Sequence, residues 1–249
     1  MSSAKILSFP KEVSAGLPSP SQPALPPCRA LLFDLDGTLV HTGPDLAGAM
    51  NHVLKSRNLD TLDPDEVEYL VGSGARSLLA RGFWGMGAEP PVEDADFEAA
   101  VELFLDYYAE HIADDSHAYA GVIETLTTLQ EAGFAMGVVT NKPEFLAKKL
   151  LVELKMDHFF KVVVGGDSLP TRKPEPEMLY HATVHMAVAV DEAVLIGDSD
   201  NDIHAARNAG IPVVAVTYGY NRHGDIAELE PDRLVDRFGE ITPLLVLDN

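Results

Sequence analysis

The sequence predicts an α/β protein: a doubly wound parallel sheet with a Rossmann-like core and an inserted α-helical cap. Five short, continuously apolar runs have the pattern of strands buried on both faces. Helical stretches alternate with them, as a parallel sheet covered on both sides requires. One long interval after the first run is helical throughout and contains no convincing strand.

Taken in order, the first segment, Met1 to Pro27, is rich in serine and proline. Such a stretch cannot bury enough apolar surface to offset its ordering entropy, so residues 1–28 read as a flexible tail. It lacks the apolar stretch, basic start and cleavage site of a secretory signal. Only Lys5 and Lys11 precede Arg29, too few basic residues for a transit peptide. Order is expected from Ala30. The runs are Ala30–Phe33, Ala135–Val139, Val162–Val164, Ala193–Ile196 and Val213–Val216, with helices over Gly121–Ala132 and Glu144–Leu154. A turn residue such as Gly133 ends a helix of this kind. Residues 29–44 and 119–249 therefore form the α/β core, and 45–118 the cap. Within the cap the spacing predicts helices over Asp45–Arg57, Pro64–Val71, Ala75–Phe83 and Val92–Ile112. Phe97, Val101, Phe104, Leu105 and Tyr108 recur at helical spacing, an aromatic stripe that reads as core packing rather than a cofactor site.

Composition narrows the function. Of 249 residues 46% are hydrophobic, and 18 basic against 39 acidic side chains give a formal charge of −21. Nucleic-acid backbones and anionic membranes are disfavoured partners for so acidic a surface. The one cysteine, Cys28, excludes an internal disulfide and any cluster of cysteine ligands for zinc. No apolar run approaches the roughly 20 residues of a membrane-spanning helix, so a cytoplasmic protein is expected. At face value the charge also speaks against an anionic substrate. Acids that hold a divalent cation, facing Lys173, Lys142 and Arg76, would remove that objection inside the cleft.

Each distinctive polar cluster directly follows an apolar strand, where open parallel sheets bind ligands. After the first comes Asp34-Leu35-Asp36-Gly37-Thr38, with Asp34 and Asp36 on one side of extended backbone. Two such carboxylates can divide labour as nucleophile or metal ligand and as proton donor; an isolated Asp-x-Asp can also be a loop with a helix cap. After the second come Thr140 and Asn141, either an anion-binding helix start or an N-cap. Lys173 stands in Arg172-Lys173-Pro174-Glu175-Pro176, near prolines that restrict it. After the fourth comes Gly197-Asp198-Ser199-Asp200-Asn201-Asp202, carboxylates suited to a hard divalent cation. It is no helix–loop–helix calcium loop, since Ile203 and Ala209 stand where glycine and glutamate are needed. Gly72-Ser73-Gly74 lacks the third glycine of a nucleotide fingerprint. His111, His117, His181 and His185 lack the spacing of zinc ligands. Four clusters after successive strands match phosphoryl transfer through an aspartyl-phosphate.

These motifs, FDLDGTLV, TNKP, the lysine-proline segment and GDSDNDIHAARNAG, resemble those of the haloacid dehalogenase-type hydrolase superfamily from Ala30 to the C-terminus. The resemblance implies Asp34 as nucleophile, Asp36 as general acid then base, and Thr140 and Lys173 as phosphoryl stabilisers. It implies magnesium held by Asp34, the backbone oxygen of Asp36 and Asp198, with Asp202 in support. Asp36 favours phosphate chemistry over dehalogenation. Within the superfamily the chain is most similar to bacterial phosphoglycolate phosphatases. That likeness rests on Pro44-Asp45-Leu46, Val71-Gly72-Ser73-Gly74-Ala75-Arg76, Thr140-Asn141-Lys142-Pro143, Gly165-Gly166-Asp167 and Tyr218-Gly219-Tyr220-Asn221. It departs at His41, usually aspartate, and at Ala118 and Ala120, where prolines are common. The expected substrate is 2-phosphoglycolate, bound by Thr140, Asn141, Lys173 and Arg76. The competing reading of Arg76 is a solvated helix charge. The rivals are phosphatase action on another small phosphorylated acid or sugar, including a cell-wall-recycling sugar phosphate, and β-phosphoglucomutase-like transfer. A non-catalytic phosphate-binding module would predict loss of Asp34, Asp36 or Lys173, and all are present. Monomer and homodimer are both compatible with the sequence.

Overall fold

A computed structural model describes residues 24–221 and 224–248. Most of the expected flexible tail lies outside the described residues. Central to the fold is β1 (Ala30–Phe33), fully buried and paired in parallel with β4 (Ala135–Val139) and β6 (Ala193–Gly197). Ala30 stands opposite both Ala135 and Ala193. With β5 (Val162–Val164), β7 (Val213–Val216) and β8 (Arg233–Val235) these strands form a parallel sheet ordered β5-β4-β1-β6-β7-β8. Alternation sends Leu31 and Phe33 to one apolar layer and Ala30 and Leu32 to the other. The first layer contains α5 (Val122–Ala132) and α6 (Glu144–Glu153). The second contains α7 (Glu177–Met186) and α8 (Asp200–Ala209). Burying each large side chain of β1 contributes about 1.5–3 kcal/mol. Gly133 ends α5 in the left-handed conformation, at φ 98°, where a side chain would be strained.

Between Val40–His41 (β2) and His117–Ala118 (β3) lie α1 (Gly43–Ser56), α2 (Pro64–Glu68), α3 (Ala75–Trp84) and α4 (Ala95–Glu110). β2 and β3 pair antiparallel, Val40 with Ala118 and His41 with His117, so the chain leaves and re-enters the core side by side. The Asp45 carboxylate, in the first turn of α1, fastens this crossing. It accepts from the Ser116 amide at 2.8 Å, the Ser116 hydroxyl at 2.6 Å and the Asp115 amide. The aromatic stripe of α4 is packed inside, with Phe97, Val101, Phe104 and Tyr108 buried and Leu105 partly so.

Several boundaries differ from expectation. β3 is a two-residue strand inside the interval expected to be helical throughout, β2 is equally short, and β8 has three residues. α2 stops at Glu68 rather than Val71. α4 begins at Ala95, because Asp94 caps it by accepting from the Asp96 and Phe97 amides. Order also starts before Ala30. The amides of Leu25 and Cys28 donate to Leu244 and Val246 at 2.8 Å, so this end is fixed by the far end of the chain. Among the described residues no helix is long and apolar enough to cross a membrane.

Candidate active site

Strand order reverses about β1, which places a crevice at the carboxyl ends of β4, β1 and β6. Asp34 and Asp36 follow β1, Thr140, Asn141 and Lys142 follow β4, and Asp198 to Asp202 follow β6. Lys173 enters from the segment between β5 and α7. Gly37 turns the chain away at φ 85°, and a β-carbon there would come within 2.3 Å of Asp198 Oδ2. Both facts require glycine at this position.

Lys173 is 3% exposed. Its Nζ lies 2.9 Å from Asp34 Oδ1 and 2.6 Å from Asp202 Oδ1, and it donates to the Val139 carbonyl at 2.8 Å. Burial alone would lower its pKa. Asp202 and Asp34 outweigh that and hold the ammonium above the ordinary lysine range. Asp34 is pushed up to about 6 by burial, with Asp202 and Asp36 adding repulsion that Lys173 only partly offsets. Asp198 is raised well above the carboxylate range by burial and by Asp34 and Asp202.

Asp36 is held separately. Its Oδ1 accepts from Thr42 Oγ1 at 2.7 Å and from Lys142 Nζ at 2.9 Å. Thr42 is the N-cap of α1, yet its hydroxyl serves Asp36 instead of the helix. The Tyr220 hydroxyl takes over, accepting from the Thr42 and Gly43 amides, each at 2.7 Å. The Tyr220 amide donates to Asp198 Oδ2 at 2.7 Å, and Thr38 Oγ1 donates to Asp198 Oδ1 at 2.6 Å. Asp202 Oδ2 accepts from the amide and hydroxyl of Ser199, the cap of α8, so both of its oxygens have protein partners. Thr140 Oγ1 accepts from the Lys142 amide at 3.2 Å, which leaves its own proton to donate.

The inserted helices close over this crevice. Asn141 Nδ2 donates to the carbonyls of Gly72 and Lys173, and Asn201 Nδ2 also reaches Gly72 O. A cleft between the two parts is lined by Asp34, Asp36, Thr140 and Lys142 on the core side. Leu46, Val71, Phe104 and Tyr108 face them from the insertion. Its water-accessible interior is about 40 Å³, room for roughly three water molecules. Of the expected site residues, Asp34, Asp36, Thr140, Asn141, Lys173, Asp198 and Asp202 come together here. Arg76 does not. Its guanidinium pairs with Glu98, donates to the Pro91 carbonyl at 2.9 Å and lies over the Phe97 ring. No motif in the sequence assigns Thr42, Tyr108 or Tyr220 a place in the site. Tyr108 stood in the aromatic stripe and Tyr220 in the Tyr-Gly-Tyr-Asn motif, but their partners are distant in the chain.

Asp34, Asp198 and Asp202 each offer a carboxylate oxygen within 4.8 Å of the others, all three buried. Asp34 Oδ1 has no hydrogen bond of good geometry, only its ion-pair contact with Lys173. An all-oxygen set in which burial and mutual repulsion hold the Asp34 and Asp198 carboxyls above their ordinary range fits a hard divalent cation, which would remove that repulsion.

Known proteins resemble this chain in sequence and in fold. A family model for haloacid dehalogenase-like hydrolases matches residues 31–216. The phosphoglycolate phosphatase of Colwellia psychrerythraea strain 34H is 40% identical over 214 residues, 86% of this chain and 95% of that protein. That of Caulobacter vibrioides is 41% identical over 211 residues, covering 85% and 88%. The crystal structure of a predicted phosphoglycolate phosphatase from Haemophilus somnus 129PT superposes with a TM-score of 0.80 at 38% identity. It covers 86% of this chain and 96% of that one.

Proposed function

The chain belongs to the haloacid dehalogenase-like hydrolases and is a phosphoric monoester hydrolase, and from that premise we propose that it converts 2-phosphoglycolate to glycolate and phosphate with magnesium, through an aspartyl-phosphate on Asp34. The observation that carries this reading is the buried Lys173 ammonium joined to Asp34 and Asp202, with Asp36 held at the same cleft. Residues 45–118 are the cap of this site.

In the first step an Asp34 carboxylate oxygen attacks phosphorus, and the bond to the substrate's ester oxygen breaks. Asp36 gives its proton to that departing oxygen. In the second step Asp36, now a carboxylate, takes a proton from the water that attacks the phosphoryl group. The Asp34–phosphorus bond breaks and phosphate leaves. Lys173 neutralises charge on the phosphoryl oxygens throughout, and the free proton of Thr140 Oγ1 orients one of them. Asp34, the Asp36 backbone oxygen and Asp198 would hold magnesium, supported by Asp202, and the ion when bound supplies further charge neutralisation at those oxygens. The phosphoglycolate phosphatases among its relatives support a substrate of few atoms.

Turnover of a phosphomonoester panel with magnesium tests this. The expected result is preference for 2-phosphoglycolate, with Asp34→Asn at least 10³-fold slower, the scale set by loss of a nucleophile. A preference for sugar phosphates would overturn the substrate, and equal activity in the variant would overturn the nucleophile.

A further inference from the structure

We propose that Tyr108, supplied by the inserted helices, is a positioning residue that acts through Lys142 to set the Asp36 carboxyl for proton transfer. Lys142 is a core residue, 5% exposed, and a buried ammonium needs partners for its protons. Two are given. One is Asp36, at 2.9 Å to Oδ1 and 3.3 Å to Oδ2; the other is the Tyr108 hydroxyl at 2.8 Å. The ammonium also lies 4.4 Å from the centre of the Tyr108 ring, close enough for the ring face to attract it. Tyr108 is 1% exposed and stacked on Phe104, so its hydroxyl has little freedom to move away.

A buried tyrosine commonly finds some hydrogen-bond partner, and a packing role would explain its ring. Packing does not explain the partner. The Tyr108 hydroxyl meets the one lysine whose other bond is to Asp36, and it does so from α4, across the cleft. Without that hydroxyl the ammonium is free to turn away from the line it now keeps with Asp36. Seating of the insertion and placement of Asp36 are thereby linked through a single side chain. The inference rests on the reading of Asp36 as proton donor.

The experiment compares 2-phosphoglycolate, whose alkoxide must be protonated to leave, with acetyl phosphate, whose acetate leaves without a proton. kcat/KM reports the steps through departure of that group, so it isolates the donation. Tyr108→Phe, assayed with magnesium, is expected to lose about tenfold in kcat/KM on 2-phosphoglycolate and less than about twofold on acetyl phosphate, a fraction of a general acid's contribution. Asp36→Asn should show the same split, larger. Lys142→Met should show it too, with Tyr108→Phe adding nothing further in that background. An equal effect of Tyr108→Phe on both substrates, while Asp36→Asn discriminates, would overturn the inference and leave the function standing. No discrimination by Asp36→Asn would overturn the role of Asp36 itself, and the inference with it.

Discussion

Asp34 is kept in a state that costs the fold stability. Its carboxyl titrates near 6 in the folded protein, against an ordinary value of 3.8, because burial and neighbouring acids outweigh Lys173. Below pH 4 the group is neutral folded or unfolded. As pH rises from about 4 to 6 the carboxyl ionises in the unfolded chain while it stays neutral in the folded one, so stability is lost over that window. In chelator, Asp34→Asn should therefore be the more stable protein at pH 7, by on the order of 2 kcal/mol, or a midpoint about 4–8 °C higher. The difference should vanish near pH 4, and magnesium at pH 7 should stabilise the wild type more than the variant. A lower midpoint for Asp34→Asn in chelator at pH 7 would contradict this. Asp34, Asp36, Thr140 and Asp198 were legible in the sequence because each sits in a short motif beside a strand end, and Lys173 because prolines near it restrict it. The Tyr108–Lys142 and Tyr220–Thr42 pairs were not. Each joins residues whose neighbours in sequence say nothing of the contact, and Arg76 shows the converse, since a basic residue in a suggestive loop turned to Glu98 instead.

Among the elements, the apolar strands of the sheet centre were readable from pattern alone, since burial on both faces leaves an unbroken hydrophobic run. β2 and β3 were not, because two residues carry no period. Their pairing is decided by what the chain must do, leaving and re-entering the core at one place. Asp45 secures that place, and its worth can be measured. Asp45→Ala would strip partners from the Ser116 amide and hydroxyl and the Asp115 amide. We expect a loss of about 2–4 kcal/mol in chemical denaturation, the cost of orphaned donors and lost charge-assisted bonds. A loss below about 0.5 kcal/mol would mean that the ribbon holds without it.

For the whole molecule, a charge of −21 first seems to oppose any anionic substrate, and the structure shows why it does not. Three of the acids are gathered at one point suited to a cation, and Lys173 and Lys142 stand beside them at the cleft. The remaining excess bears on solubility rather than on chemistry. The molecule is thus a sheet whose strand ends, together with Lys173, gather three buried acids and an ammonium, and an inserted helical block that completes the cleft. The proposed function requires that Asp34 carry the phosphoryl group. Acid-quenched reaction with 2-phosphoglycolate and magnesium, followed by peptide mass spectrometry, tests it most directly. The prediction is a phosphoryl adduct on the peptide carrying Asp34, formed within the first turnover and absent from Asp34→Asn. Full turnover with no adduct at Asp34, and activity retained in Asp34→Asn, would contradict it.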